Sequence, residues 1–183
     1  MERLIALIER GKPFFDAVAR NKYLKAIRDG FISVMPIIIF SSLFLLIANI
    51  PIIFGYQWPQ EVNDFLMKPY NYSMGIVGLL VAATTAKHFT DGLNREMPKT
   101  NQINSVSTML ASVVGFAILA SGDIVQQLAD GTSLTGLDTS YLGSKGLLTA
   151  FLTAFVVGGI YKVLIKNNVT LKMPEQVPPN IAQ

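Results

Sequence analysis

The stretch FISVMPIIIFSSLFLLIANI, residues 31–50, decides the fold class, because its twenty residues include no charged side chain. An α-helix rises 1.5 Å per residue, so a helix of this length covers roughly 30 Å, the thickness of the hydrocarbon layer of a bilayer. The uncharged run continues as far as Gln60. The stretch therefore predicts a transmembrane helix.

The composition of the whole chain also favours a membrane protein. Of the 183 residues, 51% are hydrophobic and only 15% are charged, whereas a soluble domain carries about 25% charged residues. So few charged groups do not cover a surface that faces water. The chain contains no cysteine, which excludes disulfide bonds, thiolate chemistry and cysteine metal sites.

Three further uncharged runs follow along the chain, and each is considered as a membrane span. The second and fourth, at about seventeen residues, are at the lower limit for crossing a bilayer, and buried core helices have a similar pattern. The predicted fold class is all-α, an integral membrane protein with four transmembrane helices. The predicted spans cover about 31–53, 70–88, 101–121 and 146–163.

Basic residues alternate between the segments that separate these spans. Seven precede the first span, and the later segments hold one, three, one and three in turn. Segments rich in Lys and Arg remain on the cytoplasmic side of a membrane. Both termini and the 87–100 loop are therefore predicted to be cytoplasmic, and the other two loops to face outward.

Residues 1–29 are predicted to form an amphipathic helical lead-in to the membrane part, residues 30–165. Apolar residues recur in it at helical spacing, and basic residues occupy much of the remaining surface. This pattern is typical of a helix that lies in the cytoplasmic interface against anionic lipids of the bilayer. A nucleic-acid-binding arm is the alternative, but the apolar face beside a span disfavours it, and no nucleic-acid partner is expected.

Small and hydroxyl-bearing residues are frequent in the second and third spans. Small residues let helices approach closely and hydroxyl groups bond between them, so the pattern favours helix packing, with the polar lining of a transport path as the alternative. Pro36 predicts a kink, either fixed or a hinge. An aromatic cluster near the first outward loop predicts anchoring at the lipid interface, with a sugar-stacking platform as the alternative; its members are Tyr56, Trp58, Tyr70 and Tyr72.

His88, the single histidine, follows Lys87 at the cytoplasmic end of the second predicted span. Without a second histidine or a cysteine in the chain, a solvated histidine at a helix end is favoured over a metal ligand. The central apolar stretches contain no ionisable side chain, although ionisable groups usually mark transport or catalytic sites inside a membrane. We predict no catalytic residue, no substrate-binding residue, no metal and no cofactor in these spans.

Several separated stretches resemble one known family over nearly the whole chain. The chain is similar to the opening of the lactose/cellobiose-type membrane component, the IIC domain, of the bacterial phosphoenolpyruvate-dependent sugar phosphotransferase system. The stretch between Asp123 and Tyr141 is the part that resembles it least. The stretches that carry the resemblance are GKPFFDAVARNKYLKAIRDGFISVMPIIIFSSLFLLIA (11–48), MKPYNYSMGI (67–76), TTAKHFTDGLNREMPKTNQINSVSTMLASVVGF (84–116), GSKGLLTAF (143–151) and MPEQVPPNIAQ (173–183).

The resemblance implies a ten-helix homodimeric permease in the bacterial plasma membrane. It implies a β-linked disaccharide substrate of the lactose, cellobiose or diacetylchitobiose class. The sugar is phosphorylated on the cytoplasmic side by the IIB component, which IIA charges, so the IIC part itself is a transport component and no enzyme. The family's sugar-binding histidine and glutamate lie in Gly-Ile-His-Gly-Pro-like and Asn-Glu-Pro-like motifs of its second half. Neither motif occurs here, and His88 matches neither.

The family's chains are more than twice this length and continue past the PPNI stretch. The resemblance therefore implies a truncated N-terminal half that serves as scaffold and dimerisation part and is inactive alone. Residues 166–183 become a cytoplasmic connector to a second half. A complete small four-span interaction or assembly module without transport is the alternative, and a soluble helical enzyme is disfavoured by the alternation of basic residues.

Overall fold

The computed structural model of the chain describes residues 20–128 and 131–169. Most of the predicted lead-in and of the predicted connector lies outside these residues. Within them, helices and short strands follow in the order α1 (Lys22–Ile53), α2 (Gln60–Gly75), α3 (Val77–Asn94), α4 (Ser105–Ala120), β1 (Asp123–Gln127), β2 (Ser133–Leu137) and α5 (Leu147–Lys166), with 3₁₀ turns at Lys99–Asn101 and Ser144–Gly146.

Three of the described helical segments are long and apolar enough to cross a membrane. They are Lys22–Ile53, Lys99–Ala120 and Ser144–Lys166, the last two counted with the 3₁₀ turn that precedes the helix. They correspond to the first, third and fourth predicted spans. The chain is thus mostly helical, as the sequence predicts, and it has three such segments where the sequence predicts four spans.

Helix α1 begins at a side-chain cap and contains two prolines. The Asn21 side chain accepts hydrogen bonds from the backbone N–H groups of Tyr23 and Leu24, which satisfies two donors of the first turn. Pro51 has no N–H group and leaves the carbonyl four residues earlier without its helical partner. The indole Nε1–H of Trp58 donates to that carbonyl, Ile47 O, at 3.2 Å. The tryptophan expected to anchor at the lipid interface therefore also closes the end of α1.

The range 70–88, predicted as the second span, falls on two helices. α2 ends at Gly75, and Ile76, with φ −117° and ψ 10°, separates it from α3. No side chain caps the start of α3, but the backbone N–H of Leu79 donates to the carbonyl of Leu142 at 3.3 Å. The first turn of α3 thus obtains a partner from the 138–146 loop, although the break lies within an uncharged run.

Helix α3 lies at the centre and packs against α1, α4 and α5. Nine of its 18 residues are buried. The faces that meet it consist mainly of small and hydroxyl-bearing residues, such as Gly30 on α1, Ser112 on α4 and Ala150 on α5. Large aliphatic side chains on α4 and α5 point away from it, and Leu148 stays 77% exposed. The core is therefore lined by small residues, and the outer surface of the bundle is apolar.

Hydroxyl groups bond between the helices of this core. Thr84 Oγ1 on α3 donates to Gly30 O on α1 at 3.0 Å, and Ser112 Oγ on α4 donates to Ala82 O on α3 at 3.2 Å. These bonds confirm the expected packing role of the polar residues in the second and third predicted spans.

The all-α prediction is wrong between α4 and α5, where β1 and β2 form an antiparallel hairpin. Asp123 pairs with Leu137 at its base and Gln127 with Ser133 near its tip. The turn contains Gly131, whose φ of +83° suits glycine. Every residue of both strands is exposed. The hairpin belongs to the stretch that least resembles the family.

Candidate functional site

The sequence predicts no site residues, and among the described residues no group of three or more His, Cys, Asp or Glu side chains is arranged to hold a metal ion. Two clefts of the described part are lined by polar side chains, one at each end of α3. One end carries charged groups around His88, and the other carries hydroxyl, amide and tyrosine groups. The two ends are described in turn.

The charged end is organised around a contact between α1 and α3. Ser33 Oγ lies 2.8 Å from His88 Nε2 and also donates to the carbonyl of Asp29 at 2.9 Å. A serine beside a histidine is the first half of a nucleophile–base pair, but such a pair needs a third group that orients the imidazole. Among the described residues no carboxylate bonds to His88, so the contact links two helices and carries no visible catalysis.

A cleft of about 80 Å³ lies beside this contact. Its carboxylates have cationic neighbours: Lys87 Nζ lies 2.9 Å from Asp91 Oδ2, and Arg28 lies 2.8 Å from Asp29 Oδ1. The cleft therefore combines neutralised carboxylates with cationic groups from α1 and α3. The residues that line it are Lys22, Lys25, Asp29, His88, Asp91, Gly92 and Arg95.

The loop between α3 and α4 is fixed by amide side chains. Asn94 donates from Nδ2 to Ile103 O and accepts from Ile103 N, both at 2.8 Å. Asn101 Nδ2 donates to Ile165 O on α5 at 3.2 Å, and the Asn104 side chain caps α4. The sequence leaves open whether the amides in this region pack helices or line a path. The structure pairs these three amides with backbone groups, which favours packing.

The opposite end of α3 carries a wider, open cleft of about 250 Å³ between the end of α2 and the 138–146 loop. Asp138 in this loop accepts hydrogen bonds from the hydroxyl and the backbone N–H of Ser140, and these bonds lower the pKa of its carboxyl group. The sequence does not predict this cleft, because its two walls, the end of α2 and the 138–146 loop, are about seventy positions apart in the chain. The lining residues are Tyr70, Asn71, Met74, Gly75, Thr139, Ser140, Gly143, Ser144 and Lys145.

The aromatic residues of the predicted cluster separate into two pairs. Tyr56 and Trp58 meet edge to face, with ring centroids 5.3 Å apart. Tyr70 lines the open cleft, and Tyr72, 69% exposed, lies beneath Lys68 Nζ at 5.8 Å. The predicted cluster is therefore two separate pairs of rings, and its role as lipid anchor or sugar platform stays a prediction.

Three apolar helical segments that are long enough to cross a membrane pack around α3, and this arrangement is typical of a helical membrane protein. Residues 28–183 match the family model described as Phosphotransferase system, EIIC. The chain belongs to this family of membrane components, which confirms the resemblance noted from the sequence.

Curated relatives carry the same match over the whole chain. The lactose-specific EIICB component of Streptococcus mutans serotype c is 58% identical over all 183 residues, and that of Lactococcus lactis subsp. lactis is 55% identical. The chain spans about a third of the length of these relatives, 31% in each case, and corresponds to an N-terminal part of EIIC.

A solved structure shares the fold. The crystal structure of the transporter ChbC, the IIC component from the N,N'-diacetylchitobiose-specific phosphotransferase system, superposes with a TM-score of 0.72. The match covers 93% of this chain and 40% of that one, at 24% sequence identity. At this identity the likeness shows the arrangement of helices alone.

Proposed function

We propose that this chain forms the scaffold part of a sugar permease of the phosphotransferase system, which carries a β-linked disaccharide across the bacterial plasma membrane. The sugar is then phosphorylated by a IIB component that IIA recharges. The observation that carries this proposal is the match of all 183 residues to relatives named lactose-specific. On this basis lactose is the first substrate to test. The sugar-contacting groups lie elsewhere in the assembled permease.

Four membrane spans with both termini in the cytoplasm are part of the proposal. α3 supplies the second of these spans: its 18 residues cover about 27 Å, and three apolar helices pack around it. The basic ends of the helices lie together, since Lys22 Nζ is 3.1 Å from Glu96 Oε2 and Asn101 bonds to Ile165 near Lys166. The positive-inside rule puts this end in the cytoplasm.

A homodimer also belongs to the proposal, but the small-residue faces no longer support it. Gly78 and Gly158 are buried inside the chain, where a Cβ on Gly158 would lie 2.6 Å from Phe89 Cδ1. A second copy would instead cover large apolar residues of the outer surface. Leu148 and Leu152 on α5, 77% and 65% exposed, belong to that surface.

A chimera tests the scaffold role. The aligned residues of the Streptococcus mutans relative are replaced by this chain, and phosphoenolpyruvate-dependent phosphorylation of radiolabelled lactose is measured in membrane vesicles. We expect activity within about tenfold of the parent, because a scaffold 58% identical preserves the helix packing. The chain alone is expected to give no lactose uptake above empty vesicles.

The controls separate the scaffold from the remaining permease. Gly158→Leu in the chimera should abolish activity by disturbing the contact with Phe89, whereas Gly159→Leu should not, since no described atom lies within 4 Å of a Cβ there. A chimera that reaches the membrane in normal amount but neither binds nor phosphorylates lactose contradicts the proposal, and so does uptake by the chain alone.

A further inference from the structure

We propose that the charged cleft at the end of α3 binds the headgroup phosphate of an anionic phospholipid, whose acyl chain lies along α1. The proposal assigns one lipid molecule to a defined place, whereas the membrane character of the chain implies only a general lipid surface. It rests on the proposed membrane insertion but not on sugar transport. Three features carry it: the cationic groups, the apolar surface below them, and their spacing along α1.

Both carboxylates of the cleft are paired with cationic side chains, whereas two of its cationic side chains have no carboxylate partner among the described residues. Asp29 and Asp91 each have an ion-pair partner, Arg28 and Lys87 respectively. Among the residues that the structure describes, no carboxylate lies within ion-pair distance of Lys25 or Arg95, although both line the cleft. A cleft of about 80 Å³ has room for several water-sized groups. A singly charged phosphate diester suits a small cleft with two uncommitted cations.

An apolar stripe continues from this cleft along α1. Residues three or four positions apart share one side of a helix, and a series with this spacing leads on from Lys25 and Asp29. The members of this α1 stripe are Ile32, Pro36, Phe40, Leu43 and Ile47, all of them exposed. The sixteen residues from Ile32 to Ile47 cover about 22 Å, more than half of a hydrocarbon layer of about 30 Å. The stripe is long enough for one acyl chain.

The combination of the charged cleft and the α1 stripe favours a phospholipid over a free phosphate or a second copy of the chain. A free phosphate would use the cations but not the stripe. In a twofold contact at this face, a second copy would place the same cationic cleft opposite this one, and like charges repel. Basic clefts between membrane helices bind anionic headgroups for the same electrostatic reason, with about 1 kcal/mol for each Lys or Arg.

Native mass spectrometry of the purified chain in neutral detergent tests this inference, with dioleoyl-phosphatidylglycerol titrated against dioleoyl-phosphatidylcholine. We expect one phosphatidylglycerol to bind ahead of the rest. Lys25→Gln and Arg95→Gln should each weaken that step about fivefold, the factor that corresponds to about 1 kcal/mol. Lys25→Arg keeps the charge and should bind normally. Lys145→Gln, at the opposite end of α3, is the matched control and should have no effect.

Each other outcome overturns the inference. Equal losses in Lys145→Gln and Lys25→Gln would show attraction to the net charge of the whole chain. Inorganic phosphate that binds as tightly as phosphatidylglycerol would make the ligand a free anion. Lipid-free dimers that dissociate on Leu43→Trp would assign the α1 stripe to a second copy. Circular dichroism with an unchanged melting temperature excludes misfolding of the Gln variants, and lactose phosphorylation by the chimera reports separately on the proposed function.

Discussion

Helix α3 is more polar than α4, and yet it is the more buried of the two. α3 carries Lys87, His88 and Asp91 and does not qualify as a membrane span by hydropathy, yet half of its residues are buried. α4 contains no charged residue, and only Thr108, Ser112 and Phe116 of its 16 residues are buried. The more polar helix is therefore the inner one.

This difference follows from the solvent. Lipid tails are as apolar as leucine, so large aliphatic side chains gain little by leaving the surface, and helix association depends on close packing and on hydrogen bonds between helices. Gly, Ala, Ser and Thr provide both. In a membrane bundle a helix rich in small and hydroxyl residues can thus occupy the centre, although α3 is less hydrophobic than α1, α4 and α5.

Overpacking α5 against α3 is the strongest way to break this arrangement. Gly158→Leu places side-chain atoms where Phe89 lies, because even a Cβ would be 2.6 Å from its ring. We expect a loss of about 3 kcal/mol in the free energy of unfolding, measured by dodecyl sulfate titration in mixed micelles. Gly159→Leu, with no described atom within 4 Å of its Cβ, should stay within about 0.5 kcal/mol. Equal losses would show that α5 is not docked through Gly158.

Two buried hydroxyl groups at the α3 interface differ in whether they have a hydrogen-bond partner. The Thr85 hydroxyl is buried and has no hydrogen-bond partner among the described residues, whereas Ser112 Oγ donates to Ala82 O. Thr85→Val should therefore be neutral or stabilise by about 1 kcal/mol, and Ser112→Ala should cost about 1 kcal/mol. Both are measured in the same titration. A loss in Thr85→Val larger than that in Ser112→Ala would contradict the assignment.

The hairpin is expected to contribute little to the stability of the helical part, because its strands are exposed and pair with each other. Asp138 N donates to Gly122 O at 2.7 Å, so the chain ends at the base of the hairpin lie close together. Replacing residues 123–137 by a short Gly-Ser linker should change the melting temperature of the helical part by less than about 2 °C. A larger decrease would show that the hairpin supports the helices.

The smallest expected effect is the titration of Asp138 beside the hairpin. Hydrogen bonds from the Ser140 hydroxyl and N–H lower the pKa of this carboxyl group. The loop conformation is thus favoured above the usual pKa of an aspartate and loses this contribution as the pH falls through the lowered value. Carbon-13 chemical shifts of Asp138 should show the lowered midpoint, and Ser140→Ala should move it part of the way back. An unchanged midpoint in Ser140→Ala would contradict the role of the hydroxyl.

Much of this arrangement could be predicted from the sequence. The uncharged run from Phe31 predicts α1, because length and the absence of charge suffice to indicate a span. The packing role of the hydroxyl residues could also be predicted, and Thr84 and Ser112 show it. That these spans hold no catalytic or substrate-binding residue remains a prediction.

The break between α2 and α3 and the hairpin could not be predicted by counting apolar residues. Ile76 lies inside an uncharged run, and the first turn of α3 bonds through the N–H of Leu79 to the carbonyl of Leu142, which is distant in sequence. The hairpin had a local signal, the Asp130-Gly131 dipeptide between two short alternating segments. Overall composition as a membrane protein outweighed that signal.

Trp58 gives the chain an optical reporter of its own. It is the single tryptophan, and its indole N–H bonds to the carbonyl that Pro51 leaves without a helical partner. The emission wavelength and lifetime of one fluorophore thus follow the state of the α1 terminus, with no label and no cysteine to introduce. The rate at which a ligand, a lipid or a partner opens that helix end can be measured by the tryptophan fluorescence of the unmodified protein.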